Sequence, residues 1–221
     1  MAAIAYEDFS GSNELWIMPN DCLHMTALEV DFSKTVDEIE KLVNVVLPNA
    51  ERITDYPFDH RARLIKPMVS FDAAALALSF VPASGEALPT GRTRQEDDYT
   101  YHHLRRDLFT LCQESGVNVG SRYIVPSAHL TIGRFNSPNV FEVGDALDGN
   151  IALDQTLRSQ LIEEIKGIND WLEKALWPNE NGAIAQDGEW IVGEEFGLDL
   201  HKGNLWYGGG ERVKIGKGFK R

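Results

Sequence analysis

Cysteine, positive charge and long apolar runs are all scarce in this sequence. Its 221 residues include 2 cysteines, and Cys22 and Cys112 provide neither a disulfide framework nor the short paired spacing of a zinc site. We expect both to be buried thiols. No apolar stretch approaches the roughly 18 residues that span a bilayer, and the first residues lack the basic flank and apolar stretch of a signal peptide. We therefore expect a monomer in the cytoplasm or nucleus that does not contact a membrane.

The shortage of positive charge bears on the partners of the protein. The chain has 21 Lys and Arg against 34 Asp and Glu, a formal net charge of −13. A protein that grips a long nucleic acid usually shows a basic face, because phosphate neutralisation supplies much of the affinity. Here basic residues cluster strongly only in "ERVKIGKGFKR", 211–221. Long RNA is therefore disfavoured as a partner, whereas a small phosphate compound can still bind in a locally positive pocket.

Apolar periodicity and turn residues predict an α+β fold in one domain, 1–221. Predicted helices begin and end near capping or breaking residues; they cover 35–47, 99–115 and 154–176. Predicted strands lie in 14–31, 63–82, 121–135 and the C-terminal tail. Because helices do not separate the strands one by one, the sheet should be antiparallel and not doubly wound. The stretch 83–98, rich in Gly, Pro and charge, is predicted to be a flexible loop.

Two short segments share one pattern. "LHMTALEV" contains His24 and Thr26, and "AHLTIGRF" contains His129 and Thr131. Alternate side chains of a strand share a face, so each histidine points the same way as its threonine, while the apolar residues between them face the other side. If the two halves of the chain pack together as a pseudo-dimer, the two pairs can face each other across one groove.

Such a set of side chains suits the opening of a cyclic phosphodiester. The reaction needs a base that takes a proton from water and an acid that protonates the departing oxygen, and histidine fits both tasks near neutral pH. Threonine hydroxyls can donate to the non-bridging oxygens, which gather charge in the transition state. The two motifs thus supply acid, base and anion donors without a metal or cofactor. The alternative is that each histidine only bonds its neighbouring threonine at a sheet edge.

At "LHMTAL" and "AHLTIG" the sequence resembles the paired signatures of the two-histidine phosphoesterase superfamily. Its members include RNA 2′,3′-cyclic phosphodiesterases and the phosphodiesterase parts of some RNA ligases. The stretches "HRARLIKPMVSFDAAALALSFVP" and "YTYHHLRRDL" resemble fungal members described as RNA ligase or cyclic nucleotide phosphodiesterase. The resemblance implies a bilobal, pseudo-two-fold α+β fold with a central cleft and one motif per lobe. It also implies that His129 is the base and His24 the acid.

Three further residues are candidates for substrate binding. Tyr123 shares strand parity with His129 unless Pro126 introduces a bulge, and it is either a stacking platform for a base or a core tyrosine. Arg134 has the wrong parity for His129, although a bulge near Gly133 would turn it toward the phosphate. Arg105 is a candidate on the second predicted helix. The glycines of "WYGGGERV" lack the Lys-Ser/Thr of a phosphate-binding loop, and we interpret them as a hairpin turn.

We therefore predict metal-independent hydrolysis of a 2′,3′-cyclic phosphate, on a nucleotide or a short RNA end, to a phosphomonoester. The catalytic residues would be His24, Thr26, His129 and Thr131. Two other functions stay open: a nucleotide-binding module that keeps the cleft without turnover, and an interaction protein whose acidic surface binds a basic partner. The sequence does not choose among a cyclic mononucleotide, an ADP-ribose cyclic phosphate, an RNA terminus and an oligoadenylate.

Overall fold

The computed structural model describes residues 15–88, 90–120, 128–137, 141–143 and 152–220. It confirms a mixed α+β fold with antiparallel sheet. The strands are β1 (Leu15–Ile17), β2 (Arg63–Phe71), β3 (Ala75–Pro82), β4 (Ala128–Phe135), β5 (Glu142–Val143), β6 (Ala152–Leu153), β7 (Glu189–Ile191), β8 (Phe196–Lys202) and β9 (Glu211–Lys217). The helices are α1 (Val36–Val46), α2 (Ala50–Thr54), α3 (Tyr101–Glu114) and α4 (Gln155–Leu176).

One curled sheet organises the molecule. Its strands follow the order β1-β4-β3-β2-β7, and all neighbours are antiparallel. The sheet forms a half-barrel with helices beside it. Two hairpins, β5–β6 and β8–β9, complete the strand pairing of the described residues. The order brings β1 and β4 together although they come from opposite halves of the chain.

The apolar core covers a single face of this sheet. A first cluster joins Leu104 and Leu108 of α3 to the sheet, with Phe80 packed against it. A second cluster joins Ile165 of α4 to the sheet, with Leu78 packed against it. Since Leu78 and Phe80 are two residues apart on β3, both clusters lie on the same face. The opposite face is the open face of the sheet.

The ends of α1 agree with the sequence. Thr35 caps the helix: its side chain accepts from the Glu38 backbone N–H, and the Glu38 carboxylate accepts from the Thr35 backbone N–H. The helix ends at Val46, next to the predicted boundary at Leu47.

Within the described ranges, no helix combines the length and the apolar character needed to cross a bilayer.

The strand predicted around "LHMTALEVD" is wrong beyond one residue. Only Met25 pairs with the sheet, opposite Leu130. The next carbonyl, that of Thr26, instead accepts a hydrogen bond from the Tyr101 hydroxyl at 3.0 Å, and Leu28 then turns into the first core cluster. The Tyr101 hydroxyl of α3 therefore occupies the Thr26 carbonyl, a group that a continuing strand would use for hydrogen bonding within the sheet.

The segment 83–98 is attached to the sheet by a buried ion network. Arg63, whose side chain is fully buried, donates to Asp97 at 2.6 Å and to Glu189 at 3.0 Å. Burial alone would raise the pKa of Asp97, but hydrogen bonds from Arg63 and Arg92 outweigh it and hold this pKa below its usual range. The carboxylate therefore stays charged and links the segment to β2.

Candidate functional site

Strand β4 presents His129 and Thr131 on the open face. Ala128, one residue before His129, lies in the first core cluster, so the alternating neighbours point away from that core. On β3 the cross-strand partner of His129 is Ser79, and the partner of Thr131 is Ala77. His129 and Thr131 are both partly exposed. The predicted parity of this motif agrees with the strand that the structure contains.

The first motif lies directly beside the second. Met25 and Leu130 form an isolated antiparallel bridge, which places the segment with His24 and Thr26 beside the part of β4 that carries His129 and Thr131. His24 and His129 each lie next in sequence to a residue of this bridge, so the two motifs lie at the same level along β4. Met25 itself packs against the first core cluster. The motifs are thus neighbours in one sheet, not pairs that face each other from two sheets, because the segment through Met25 pairs with β4 itself.

Local contacts orient His24 and Thr26. His24 is exposed, and its Nδ1 lies 2.9 Å from the carbonyl oxygen of Cys22. A carbonyl oxygen only accepts hydrogen bonds, so Nδ1 carries a proton and Nε2 is the nitrogen that can exchange a proton with a ligand. Behind Thr26, the donor Tyr101 is buried, and burial raises its pKa to about 12. Tyr101 therefore keeps its proton and its bond to the Thr26 carbonyl at physiological pH.

A β-bulge brings Arg134 to the same face. Ala77 pairs with Thr131, but the next β3 residue, Leu76, pairs with Gly133, so β4 has one extra residue, Ile132. The extra residue reverses the alternation, and Arg134 then shares its face with Thr131 and with its partner Ala75. The bulge that the sequence analysis required for Arg134 is present. Arg134 Nε donates to the Trp206 carbonyl at 3.0 Å, which joins β4 to the loop between β8 and β9.

Small side chains on β3 form the floor beside the histidines and threonines. Ala75, Ala77 and Ser79 alternate with the large residues that face the core. Ser79 Oγ lies 2.7 Å from Ser70 Oγ on β2. Small side chains project little from the sheet at these three positions. Sequence reasoning missed this floor, although the small–large alternation of "ALALSF" was its signal.

The structure does not bring Arg105 to this site. Tyr123 is outside the described residues. Arg105 is buried on α3, the helix that packs on the face of the sheet opposite to His129. Cys112 is buried as predicted, but Cys22 is only partly buried, because it ends a short exposed turn, 20–22. The predicted turn at Gly208, Gly209 and Gly210 is confirmed: the loop 203–210 connects the antiparallel strands β8 and β9.

No protein-family model, curated protein or solved structure matches this chain. Groups of three or more His, Cys, Asp or Glu side chains that could hold a metal ion do not occur among the residues that the structure describes. The candidate site therefore rests on its own geometry. It combines His24 and Thr26, in the segment that bridges to β4 through Met25, with His129 and Thr131 of β4, beside the small side chains of β3.

Proposed function

We propose that this protein hydrolyses 2′,3′-cyclic phosphates to phosphomonoesters by a two-histidine acid–base mechanism. One observation carries the proposal: the antiparallel pair of Met25 with Leu130 sets both His-x-Thr motifs side by side on the open face. A bilobal two-histidine phosphoesterase fold belongs to the same proposal. The curled antiparallel sheet is compatible with that fold.

The proposed reaction begins when His129 accepts a proton from water. The resulting hydroxide attacks phosphorus, and the bond from phosphorus to one ribose oxygen breaks. His24 then donates the proton on its Nε2 to that oxygen, while its Nδ1–H stays on the Cys22 carbonyl. The two histidines end with exchanged protonation states, and solvent restores them. Water and the cyclic diester are converted to one phosphomonoester, with atoms and charge balanced.

Thr26 and Thr131 would stabilise the transition state. Each is next in sequence to a residue of the Met25–Leu130 bridge, so a phosphate bound between the two motifs would meet both hydroxyls. Hydroxyl donors aimed at the non-bridging oxygens stabilise the charge that develops there, and they need no change of protonation state. The set therefore contains every group that the reaction requires.

The charges of the described surface favour a small substrate. Three of the C-terminal basic residues are paired with acids: Arg212 with Asp199, Lys217 with Glu51 and Asp55, and Lys220 with Glu194. Phosphates of a long RNA would have to compete with these carboxylates for the cations. A cyclic mononucleotide or a short RNA end brings few phosphates and is the better fit.

The test is an assay of the pure protein in EDTA with a panel of 2′,3′-cyclic phosphates, with products identified by phosphorus NMR. We expect one phosphomonoester signal to appear with wild-type protein and with His102→Ala, since His102 is an exposed histidine on α3. We expect no product with the His24→Ala, His129→Ala double variant. Binding of the cyclic phosphate without turnover would instead indicate the non-catalytic module.

A further inference from the structure

Two large aromatic side chains are exposed beside the candidate site. Trp206 and Tyr207, in the loop between β8 and β9, are 64% and 55% exposed. Both are nevertheless held in place. The guanidinium of Arg134 lies 5.0 Å from the Trp206 ring centroid and 5.8 Å from that of Tyr207. Tyr207 also meets Trp16 edge-on, with ring centroids 5.0 Å apart.

The loop is fixed on its other side by the turn that precedes His24. Gly208 has a φ of +78° and packs so closely on the Cys22 side chain that a Cβ at this position would overlap it. Cys22 Sγ donates to the Gly208 carbonyl at 3.4 Å. Glycine is required here both for the left-handed backbone and for the close approach. Trp206 and Tyr207 are therefore ordered although they are exposed.

The aromatic rings border the open face. Trp16 and Arg134 are cross-strand partners on β1 and β4, while Leu15 and Phe135 beside them belong to the second core region. Trp16 and Arg134 therefore lie on the face of His129 and Thr131. Because of the bulge, Thr131 and Arg134 lie opposite Ala77 and Ala75, two β3 residues apart, which corresponds to roughly 7 Å along the strand. That separation is within the reach of a single nucleoside whose phosphate lies at the threonines.

We infer that Trp206 and Tyr207 form a stacking platform for the base of a nucleoside cyclic phosphate. The inference rests on the proposed function for the phosphate end and adds that the substrate carries a planar aromatic ring. Exposed rings fixed by a guanidinium lose little conformational freedom when a base stacks on them. The platform does not read base identity, because every base offers a π-face. A protein interface would need about 800 Å² of surface per partner, far more than two side chains provide.

The test compares 2′,3′-cyclic AMP with the 2′,3′-cyclic phosphate of methyl riboside, which has no base. For wild-type protein we expect kcat/KM to be about 5- to 150-fold higher with the base, the range that stacking of one base provides. In Trp206→Ala this ratio should fall close to one. The matched control is Trp171→Ala, which removes a tryptophan that is 61% exposed on α4 and should keep the wild-type ratio. A wild-type ratio near one, or an unchanged ratio in Trp206→Ala, would overturn the inference.

A binding measurement separates this inference from the proposed function. Adenosine 2′-monophosphate should bind wild-type protein and Trp171→Ala more tightly than Trp206→Ala, as measured by calorimetry, whether or not the protein turns over cyclic phosphates. Gly208→Ala is a second variant that keeps both rings but displaces the loop from Cys22, and it should weaken binding similarly. Equal affinity in all four proteins would exclude the platform, while base-dependent binding without turnover would exclude only the proposed hydrolysis.

Discussion

Two pairs of histidines have opposite environments in this molecule. His24 and His129 lie on the open face next to threonines. His60 and His103 belong to an aromatic stack with Tyr56 and Tyr99: His60 is parallel to Tyr56 at 3.9 Å between ring centroids, and His103 stacks on Tyr99 at 5.7 Å. In the stack the rings cover one another, whereas on the open face a ring can meet a ligand.

The hydrogen bonds of the stack join neighbours in sequence and also tie Tyr56 to α3. His60 Nδ1 lies 3.1 Å from the Tyr56 carbonyl oxygen, and His103 Nδ1 accepts from the Thr100 backbone N–H at the start of α3. Tyr56 and Tyr99 both donate to Asp107 Oδ2, at 3.1 and 3.0 Å. Burial and these hydrogen bonds raise the pKa of Tyr99. Since His60 and His24 both place Nδ1 on a backbone carbonyl, the accessibility of the ring, and not this hydrogen bond, separates a candidate catalyst from a structural histidine.

The largest expected effect is on the open face. His24→Ala and His129→Ala should each lower kcat by at least about 10²-fold, the usual scale for loss of an acid or base. The unfolding midpoint should change little, because neither side chain lies in a core cluster. Turnover and denaturant midpoints should be measured for both variants and for His102→Ala. Activity that survives in the double variant would show that the chemistry lies elsewhere.

The aromatic stack should respond in the opposite way. Asp107→Ala leaves the hydroxyls of Tyr56 and Tyr99 without their shared acceptor. We expect it to lower the free energy of unfolding by about 1–3 kcal/mol, the cost of such unsatisfied groups, with turnover unchanged. Urea unfolding and the phosphodiesterase assay on the same samples measure both quantities. Loss of turnover at unchanged stability would show that the aromatic stack takes part in the reaction, contrary to the structural role assigned to it here.

The same carboxylate gives the stack a pH dependence. Burial alone would raise the pKa of Asp107, but hydrogen bonds from Arg106, Tyr99 and Tyr56 outweigh it and hold this pKa below its usual range. A pKa that is lower in the folded state contributes stability above the unfolded value of about 4, and the contribution disappears as the pH falls through the folded value. The stability difference between wild type and Asp107→Asn should therefore shrink between pH 5 and pH 3. A constant difference across that range would contradict the assignment.

The threonines should give a smaller effect than the histidines. Thr26→Val and Thr131→Val keep the side-chain shape and remove one donor each, so we expect each to lower kcat roughly tenfold, as for one hydrogen bond to a charged group. Thr110→Val, on the exposed side of α3, is the matched control and should have wild-type turnover. A Thr variant with a larger loss than the His variants would reverse the proposed roles.

The smallest expected effect is that of salt. Because Arg212, Lys217 and Lys220 are paired with carboxylates, these cations offer few phosphate contacts to a strand of RNA. The value of kcat/KM for a cyclic mononucleotide should change only about twofold between 50 and 200 mM salt, and a ten-mer with the same end should be no better. A strong preference for the ten-mer that collapses in salt would show that an RNA-binding surface has been overlooked.

The sequence predicted the parts of the molecule that local rules determine. The α+β class follows from the order of periodic segments, and α1 follows from Thr35 and Glu38, whose capping box is present. The His129–Thr131 parity needed only an extended backbone. By contrast, the strand predicted beyond Met25 fails because the Tyr101 hydroxyl, from a distant helix, takes the Thr26 carbonyl. The residues around Met25 do not indicate that a distant hydroxyl will bind this carbonyl.

The rest of the candidate site depends on contacts between distant segments. The bulge at Ile132 is defined by the register between β4 and β3. The sequence shows that Arg134 needs a bulge to share a face with Thr131, but it does not show whether the bulge forms. The position of Trp206 depends on the contact of Gly208 with Cys22, far away in the chain. Hairpin chemistry predicts the turn but not the surface on which the turn packs.

The pairing of Met25 with Leu130 also has a consequence for the order of folding. The two residues are separated by nearly half of the chain, and closing so long a loop is entropically unfavourable until other contacts have formed. The pairing between β2 and β3 joins residues that are close in sequence and can form early, whereas the face that carries His24 and His129 is complete only when the first strand segments join β4. During synthesis, the emerging chain must hold the exposed "LHMTALEV" segment unpaired until β4 has left the ribosome. We expect the His-x-Thr face to be among the last parts of the sheet to form.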